Sequence, residues 1–568
     1  MVAALFHPLN IFILGLGGGF IIPLLYRLGK GWLHAGFFIA LGGLTAVSGV
    51  SLLGLLVGGP TIDVATAGAP VPVAITLRFG PWEGGFAFGV NLVALFGAMH
   101  LWDRLRGDYA SLLLYLILVM GIDGMVMTRD LFNLFVFLEI VSIATYGLLG
   151  LGRESPAMEA AFKYIFATVI ASTFFLMGTA FVYFVAGTLN IDALIAAPGA
   201  LAGPIGATAT ILLLACLLVE LKPFPANGWG LDVYETAPSG VAALVSVGVS
   251  AGVFFALLKL LPLFQGQLWL IALSGGITFL LSNLIGLRQT NIQRLLGYSS
   301  IGQIGLMLIG LALLQEIGAT DALPIVVGGL FANHLFAKAG LFWFKGLVGN
   351  TDIDTPLGFA RRPLLAAIFG LFLVAIAGLP PFPGFWAKWE LVMRLTAAGK
   401  VPWIGVILAG SLLEAAYMFN WFTKALRASD EERPMPGWLA LAPPLAMALL
   451  LIVAGVVAAR LSGVGAPWMF APLACGAMLY AVDGLPGRVK AVLMLGVVLV
   501  VGGWLAVGTL DARDEHGADR AGGVELRHGP LRPALGRHQP RVGGASRSPA
   551  AAARLPRDRR RAGGAAGG

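Results

Sequence analysis

The chain has 568 residues, 58% of them hydrophobic and only 12% charged, with a mean hydropathy of +0.87. Soluble domains carry about 25% charge, so a water-soluble enzyme is excluded and a polytopic membrane protein is indicated. The net charge of +8 does not mark a nucleic-acid binder, because twelve Arg against six Asp or Glu lie after residue 510 and the body is nearly neutral.

The first apolar run, about residues 5 to 25, holds His7 and Pro8 and has no small-residue cleavage site after it, so it reads as a retained helix and not a signal peptide. Further apolar runs are centred near residues 45, 93, 118, 140, 174, 214, 250, 278, 305, 335, 372, 412, 448, 475 and 498. The expected fold is all-α, with about 14–16 transmembrane helices. If the spans alternate from an external N-terminus, fifteen basic residues fall on one side, among them Arg27, Arg104, Arg288, Arg361 and Lys424. Five fall on the other: Arg78, Arg129, Arg394, Lys400 and Arg460. The positive-inside rule puts the first set in the cytoplasm. Val71, Val73, Ile75, Leu77 and Phe79 alternate in the long external connection, which predicts a short β-hairpin. Cys216 and Cys475 stand in separate runs with no CxxC between them, so no redox centre, metal or cofactor is expected.

Five lysines fall within or at the ends of apolar runs: Lys163, Lys222, Lys259, Lys338 and Lys388. Asp123, Glu139, Glu220, His334 and Glu414 do likewise. A charge at the bilayer centre costs about 2.5 to over 10 kcal/mol, so such groups must face protein or water. Lys163 reads as readily as a residue snorkelling to the interface as a buried one, and Asp123, Glu220 and Glu414 as water-path or packing residues, with packing favoured. Pro-Phe-Pro interrupts two of the runs, at residues 223–225 and 381–383, each with a lysine nearby (Lys222 and Lys388). Two broken helices in corresponding positions point to a transport path in a duplicated, inverted-repeat fold.

These residues resemble a family: the antiporter-like membrane subunits of respiratory complex I, membrane-bound hydrogenases and Mrp-type cation/proton antiporters. Asp130-Leu-Phe-Asn-Leu-Phe-Val-Phe-Leu-Glu139 resembles its fifth span, and Leu295-Leu-Gly-Tyr-Ser-Ser-Ile-Gly-Gln-Ile-Gly305 its tenth. Asn333-His-Leu-Phe-Ala-Lys-Ala-Gly340 resembles the eleventh, and Gly378-Leu-Pro-Pro-Phe-Pro-Gly-Phe-Trp-Ala-Lys388 the broken twelfth. The resemblance covers roughly residues 85 to 425. It implies a first repeat (109–265) and a second repeat (266–425); hydropathy and alternation alone assign N-terminal helices with an external hairpin (1–108) and C-terminal helices (426–510), and composition a disordered tail (511–568).

The resemblance further implies proton translocation along Glu139, Lys222, Lys259, His334, Lys338 and Lys388, in a subunit of a larger complex that moves protons or exchanges them for Na⁺. Glu139 facing Lys222 would act as a switch, releasing a proton toward Lys259 and His334. His334 and Lys338 share a helix face, and Lys388 would be the terminal site. Implied partners are sister membrane subunits and the lipid bilayer, with no nucleic acid, in a bacterial or archaeal plasma membrane as a multi-pass protein. The chain itself shows no catalytic site, although the complex could be an NADH:quinone oxidoreductase or hydrogenase. Pro-Ala-Asn-Gly-Trp-Gly-Leu-Asp232 lacks the His and the Pro that the family commonly has after the lysine. No long lateral helix is evident after residue 425, which argues against the largest complex I subunit of this type. The competing reading is a self-contained secondary transporter of an organic solute, which also uses inverted repeats and broken helices.

Residues 511–568 are built mostly from Ala, Gly, Arg and Pro and cannot bury a core. Deleting them is expected to leave membrane level and transport unchanged, as quantitative blotting and vesicle assays would show.

Overall fold

In hydrocarbon a backbone N–H has no water to bond, so each crossing must close its own hydrogen bonds as a helix. A computed structural model of the chain describes residues 5–66, 73–150, 155–349, 351–429 and 436–462. Eleven helices are long and apolar enough to cross a membrane. One of these, Ser239–Gly286, would be about 70 Å long at 1.5 Å per residue, over twice the hydrocarbon thickness. It is interrupted by a 3₁₀ segment at Leu261–Gln267, with Phe264 out of helical geometry, and so provides two crossings. With the two shorter helices of the broken pairs, the described residues hold fourteen crossings, within the expected range. The runs centred near 475 and 498 and the tail 511–568 lie outside the described residues. The chain is a multi-pass membrane protein.

Helices α1 (Asn10–Leu28) and α2 (Lys30–Leu56) turn at Gly29, whose φ of 132° an L side chain rarely adopts. The predicted hairpin follows. Strand β1 (Ile62–Ala65) pairs antiparallel with β2 (Thr76–Phe79), Ile62 opposite Phe79 and Ala65 opposite Thr76. Leu77 and Phe79 face inward as the alternation requires, Val73 and Ile75 precede the strand, and Val71 is outside the described residues. Arg78 of β2 bonds Asp63 at 2.8 Å and Asp192 at 3.2 Å, and Asp192 also pairs with Arg129. Burial acts to raise the Asp192 carboxyl, but the two guanidiniums outweigh it and hold it below the usual carboxylate range.

The next crossings are α3 (Pro81–His100), α4 (Tyr109–Met127), α5 (Leu131–Leu149) and α6 (Ser155–Ala186). Asp130 caps α5 through the Asn133 N–H at 2.8 Å, and Asn133 bonds Thr128 at 2.9 Å, so part of the Asp130-to-Glu139 motif is helix-start chemistry. Then come α7 (Pro204–Glu220) and α8 (Gly228–Thr236), and α9, which runs from Ser239 through a π turn at Val245–Val249 to Leu260. They are followed by α10 (Leu268–Gly286), α11 (Ile292–Glu316), α12 (Thr320–Val348), α13 (Pro363–Ala377), α14 (Pro383–Ala397), α15 (Val401–Leu426) and α16 (Trp438–Leu461).

Helix α11 is the axis of the described bundle: its most apolar 18-residue window is 100% buried, against 28% for α15 and 33% for α6. Its closest neighbour is α10, and glycine sets the spacing. A Cβ on Gly275 would come 2.6 Å from the Gly305 carbonyl, and one on Gly305 would come 2.7 Å from that of Gly275. The two backbones touch, as small residues permit in membranes. Gly305→Ala must push α10 from α11 and is expected to cost about 1–3 kcal/mol, lowering the amount of protein recovered from the membrane. Gly42→Ala on α2, where the added methyl meets nothing within 4 Å, is the neutral comparison by blotting.

Candidate functional site

Proline cannot donate a hydrogen bond and clashes with the preceding helical turn, so the two Pro-Phe-Pro segments stop helices inside the bundle. The first break lies between α7 and α8, the second between α13 and α14. Each leaves freed backbone groups that need partners. The Phe224 N–H donates to Thr278 Oγ1 at 3.0 Å, and the Pro381 carbonyl accepts from Trp386 Nε1 at 3.2 Å.

Lys222 closes α7 in the left-handed region at φ 60°, the one such non-glycine among the described residues. The turn folds its side chain back, and Nζ donates to the Glu220 carbonyl at 3.1 Å and to Ser250 Oγ at 3.4 Å, with the Trp229 ring 5.3 Å away. The direct Glu139–Lys222 pair expected from the sequence is not formed. Glu139 is half-buried on α5 and makes no ion pair among the described residues. The carboxylate adjacent to Lys222 is Glu220, which also feels the charge of Glu139. The reason is local: the left-handed turn aims Lys222 over the last turn of its own helix.

From Lys222 polar groups continue across the bundle. Ser250 donates to the Val245 carbonyl at 3.2 Å, within the π turn of α9. The neighbouring Ser246 carbonyl accepts from His334 Nε2 at 3.2 Å, which leaves His334 Nδ1 as the ring's unpartnered nitrogen. Ser246 and Ser300 share a hydrogen bond at 2.7 Å. Lys338, one turn along α12 from His334, donates to Ser299, and Ser299 donates to Glu414 Oε1 at 2.5 Å. Gln303 donates to the other Glu414 oxygen. Lys388, at the second break, has no hydrogen-bond partner on Nζ among the described residues and lies in the field of Glu414. Lys222, Glu220, His334, Lys338, Lys388 and Glu414 are all buried.

Lys259 departs from the expected order. Its Nζ donates to the carbonyls of Met125, Val126 (3.1 Å) and Thr128 (2.8 Å), at the end of α4 beside the hairpin. It bonds to none of the groups above. A helix C-terminus carries partial negative charge and unsatisfied carbonyls, and Lys259 meets both. Lys163 is partly exposed and ion-paired with Glu159 and Asp232, as snorkelling predicts. Asp123 is fully buried beside Asn91, away from these bonds.

Sequence reasoning passed over Ser246, Ser250, Ser299, Ser300 and Gln303, and favoured packing roles for Glu220 and Glu414. Tyr298-Ser-Ser300 lay inside a quoted motif, but a hydroxyl in a helix has no period that separates a bridging role from bonding to its own backbone. Lys259→Met is expected to lower thermal stability of the protein in detergent by about 1–3 kcal/mol through the exposed carbonyls, with transport per assembled molecule retained. A more than tenfold fall in transport with unchanged assembly would instead return Lys259 to the path.

Residues 128–414 match the family described as NADH:quinone oxidoreductase/Mrp antiporter, TM. NADH-quinone oxidoreductase subunit N of Desulforudis audaxviator is 31% identical over 435 residues, 71% of this chain and 84% of that protein. A Na(+)/H(+) antiporter subunit of Alkalihalophilus pseudofirmus is 28% identical over 446 residues, 72% and 88%. A solved structure, that of the membrane-bound sulfane sulfur reductase, an archaeal respiratory membrane complex, aligns with a TM-score of 0.74 at 28% identity, covering 81% of this chain and 96% of the matched one. Broken helices, intramembrane lysines and these matches together make the chain a member of the NADH:quinone oxidoreductase/Mrp antiporter membrane-subunit family.

Proposed function

We propose that the chain is a proton-translocating subunit of a multi-subunit membrane complex, working beside sister membrane subunits. The observation that carries this reading is the succession of buried ionisable and hydroxyl groups from Lys222 at one break to Lys388 at the other, through Ser250, the Ser246 carbonyl, His334, Lys338, Ser299 and Glu414. A packing role does not need four buried cationic or imidazole side chains, each costly to bring into hydrocarbon.

Proton transfer needs groups that exchange protons near neutral pH. Burial disfavours a charged lysine and a nearby carboxylate favours it, so lysines set against carboxylates can cycle. Lys222 lies against Glu220, with Glu139 behind it on α5. Lys338 and Lys388 lie against Glu414. His334 stands between the two clusters, with Nε2 on the Ser246 carbonyl and Nδ1 without a partner among the described residues. Residues 109–265 and 266–425 are read as the two repeats, each contributing one break and one such cluster.

The test is proton movement in membrane vesicles, with complex content checked on native gels. Lys222→Met and Glu139→Gln are each expected to abolish most proton movement while assembly survives. Lys388→Ala should block transport where Lys388→Glu keeps part of it, since either side chain can carry a proton. Normal pumping by assembled Lys222→Met would overturn the reading.

A further inference from the structure

We propose that Glu414 is the shared counter-charge of Lys338 and Lys388, so that the two lysines hold a single proton between them. Glu414 thus acts as a positioning residue for the second half of the path. The inference rests on the functional reading above and adds to it a residue and a charge rule.

The geometry is specific. Glu414 stands on α15 with no exposed surface. Both carboxylate oxygens are engaged by α11, one by Ser299 Oγ at 2.5 Å and the other by Gln303 Nε2. Ser299 in turn accepts from Lys338 of α12, so ammonium, hydroxyl and carboxylate run donor to acceptor in one direction. Lys388 reaches the same carboxylate from α14 by charge alone, its Nζ free of hydrogen bonds. The remaining groups facing this cluster are His334, one turn from Lys338, and Tyr417, one turn from Glu414, whose hydroxyl donates to Asn283 Oδ1 at 2.8 Å. Among the described residues no second carboxylate acts on either lysine.

One carboxylate can balance one ammonium. Two charged lysines here would leave an uncompensated buried charge, and two neutral ones would leave Glu414 as one. The low-cost state has Glu414 ionised and one lysine charged. Lys338 has a hydrogen-bonded route to the carboxylate through Ser299 and Lys388 has none, so the proposal assigns the proton to Lys338 and a neutral amine to Lys388 in this arrangement. Transfer of that proton from Lys338 Nζ to Lys388 Nζ keeps the net charge of the cluster unchanged, which is the condition for a step without a large electrostatic barrier. Ser299 and Gln303 fix the position of the carboxylate.

Glu414→Gln keeps the shape and can still hydrogen bond but removes the charge, and Glu414→Asp keeps the charge. In vesicles carrying the assembled complex, Glu414→Gln is expected to move protons at least about tenfold more slowly than wild type at pH 8, with the gap closing toward pH 6, where protons are easier to take up without a counter-charge. Glu414→Asp should restore the wild-type pH profile. Equal rates for Glu414→Gln and wild type at every pH, or an equal loss at every pH, would overturn the proposal. If Glu414→Gln does not assemble, the double variant with Lys388→Met decides: recovered assembly supports an uncompensated lysine as the cause, and its absence overturns the sharing. A wild-type complex that moves no protons would sink the transport reading alone. Charge sharing is then judged from melting temperature: the double variant should exceed Glu414→Gln, and a double variant no more stable overturns it.

Discussion

An ammonium group inside a membrane has no water to solvate it, and the arrangements around Lys259, Lys222 and Lys338 answer that one requirement. Lys259 is met by three carbonyls at the frayed end of α4. Lys222 is met by a carbonyl, a hydroxyl and the face of Trp229. Lys338 is met by a hydroxyl that passes the charge to a carboxylate. Broken and π-turned helices are useful here because they free carbonyls that a regular helix keeps for itself.

Such local solvation works only if the helices stay where they are. The contact of α10 with α11 through Gly275 and Gly305 sets the position of Ser299, Ser300 and Gln303, which lie within the two turns before Gly305 on the same helix. The tenth-span motif therefore combines two requirements in eleven residues, small residues for close approach and hydroxyl or amide groups for the charged neighbours. On the hairpin side, Asp192 with Arg78 and Arg129 ties β2 to the start of α5, near the end of α4 where Lys259 is held.

Fourteen crossings, both breaks and the hairpin were legible in the sequence, because length, hydropathy, proline and alternation each leave a local mark. Lys222, His334, Lys338 and Lys388 were legible because a charge in an apolar run is conspicuous. What escaped was contact between elements distant in sequence. Lys259 and His334 look alike as charged residues in apolar runs, yet one closes a helix end and the other faces a π turn. Glu220 stood two residues from Lys222 in plain sight, but only the left-handed turn makes it the near carboxylate in place of Glu139. Glu414 lies 115 residues from Ser299, and no spacing rule joins them.

Under the proposed function, the left-handed turn at Lys222 sets folding and transport against each other at a single position. At the second break that conformation is taken by Gly378, at φ 75°, and the lysine lies across it from α14. At the first break the lysine itself takes the conformation, which costs an L-residue roughly 1–2 kcal/mol, and Gly230 leaves room for its side chain. Replacing Lys222 by glycine would relax the backbone while deleting the ammonium. The first half of the protein therefore carries a stability–activity trade-off that the second half avoids by dividing the turn and the charge between two residues.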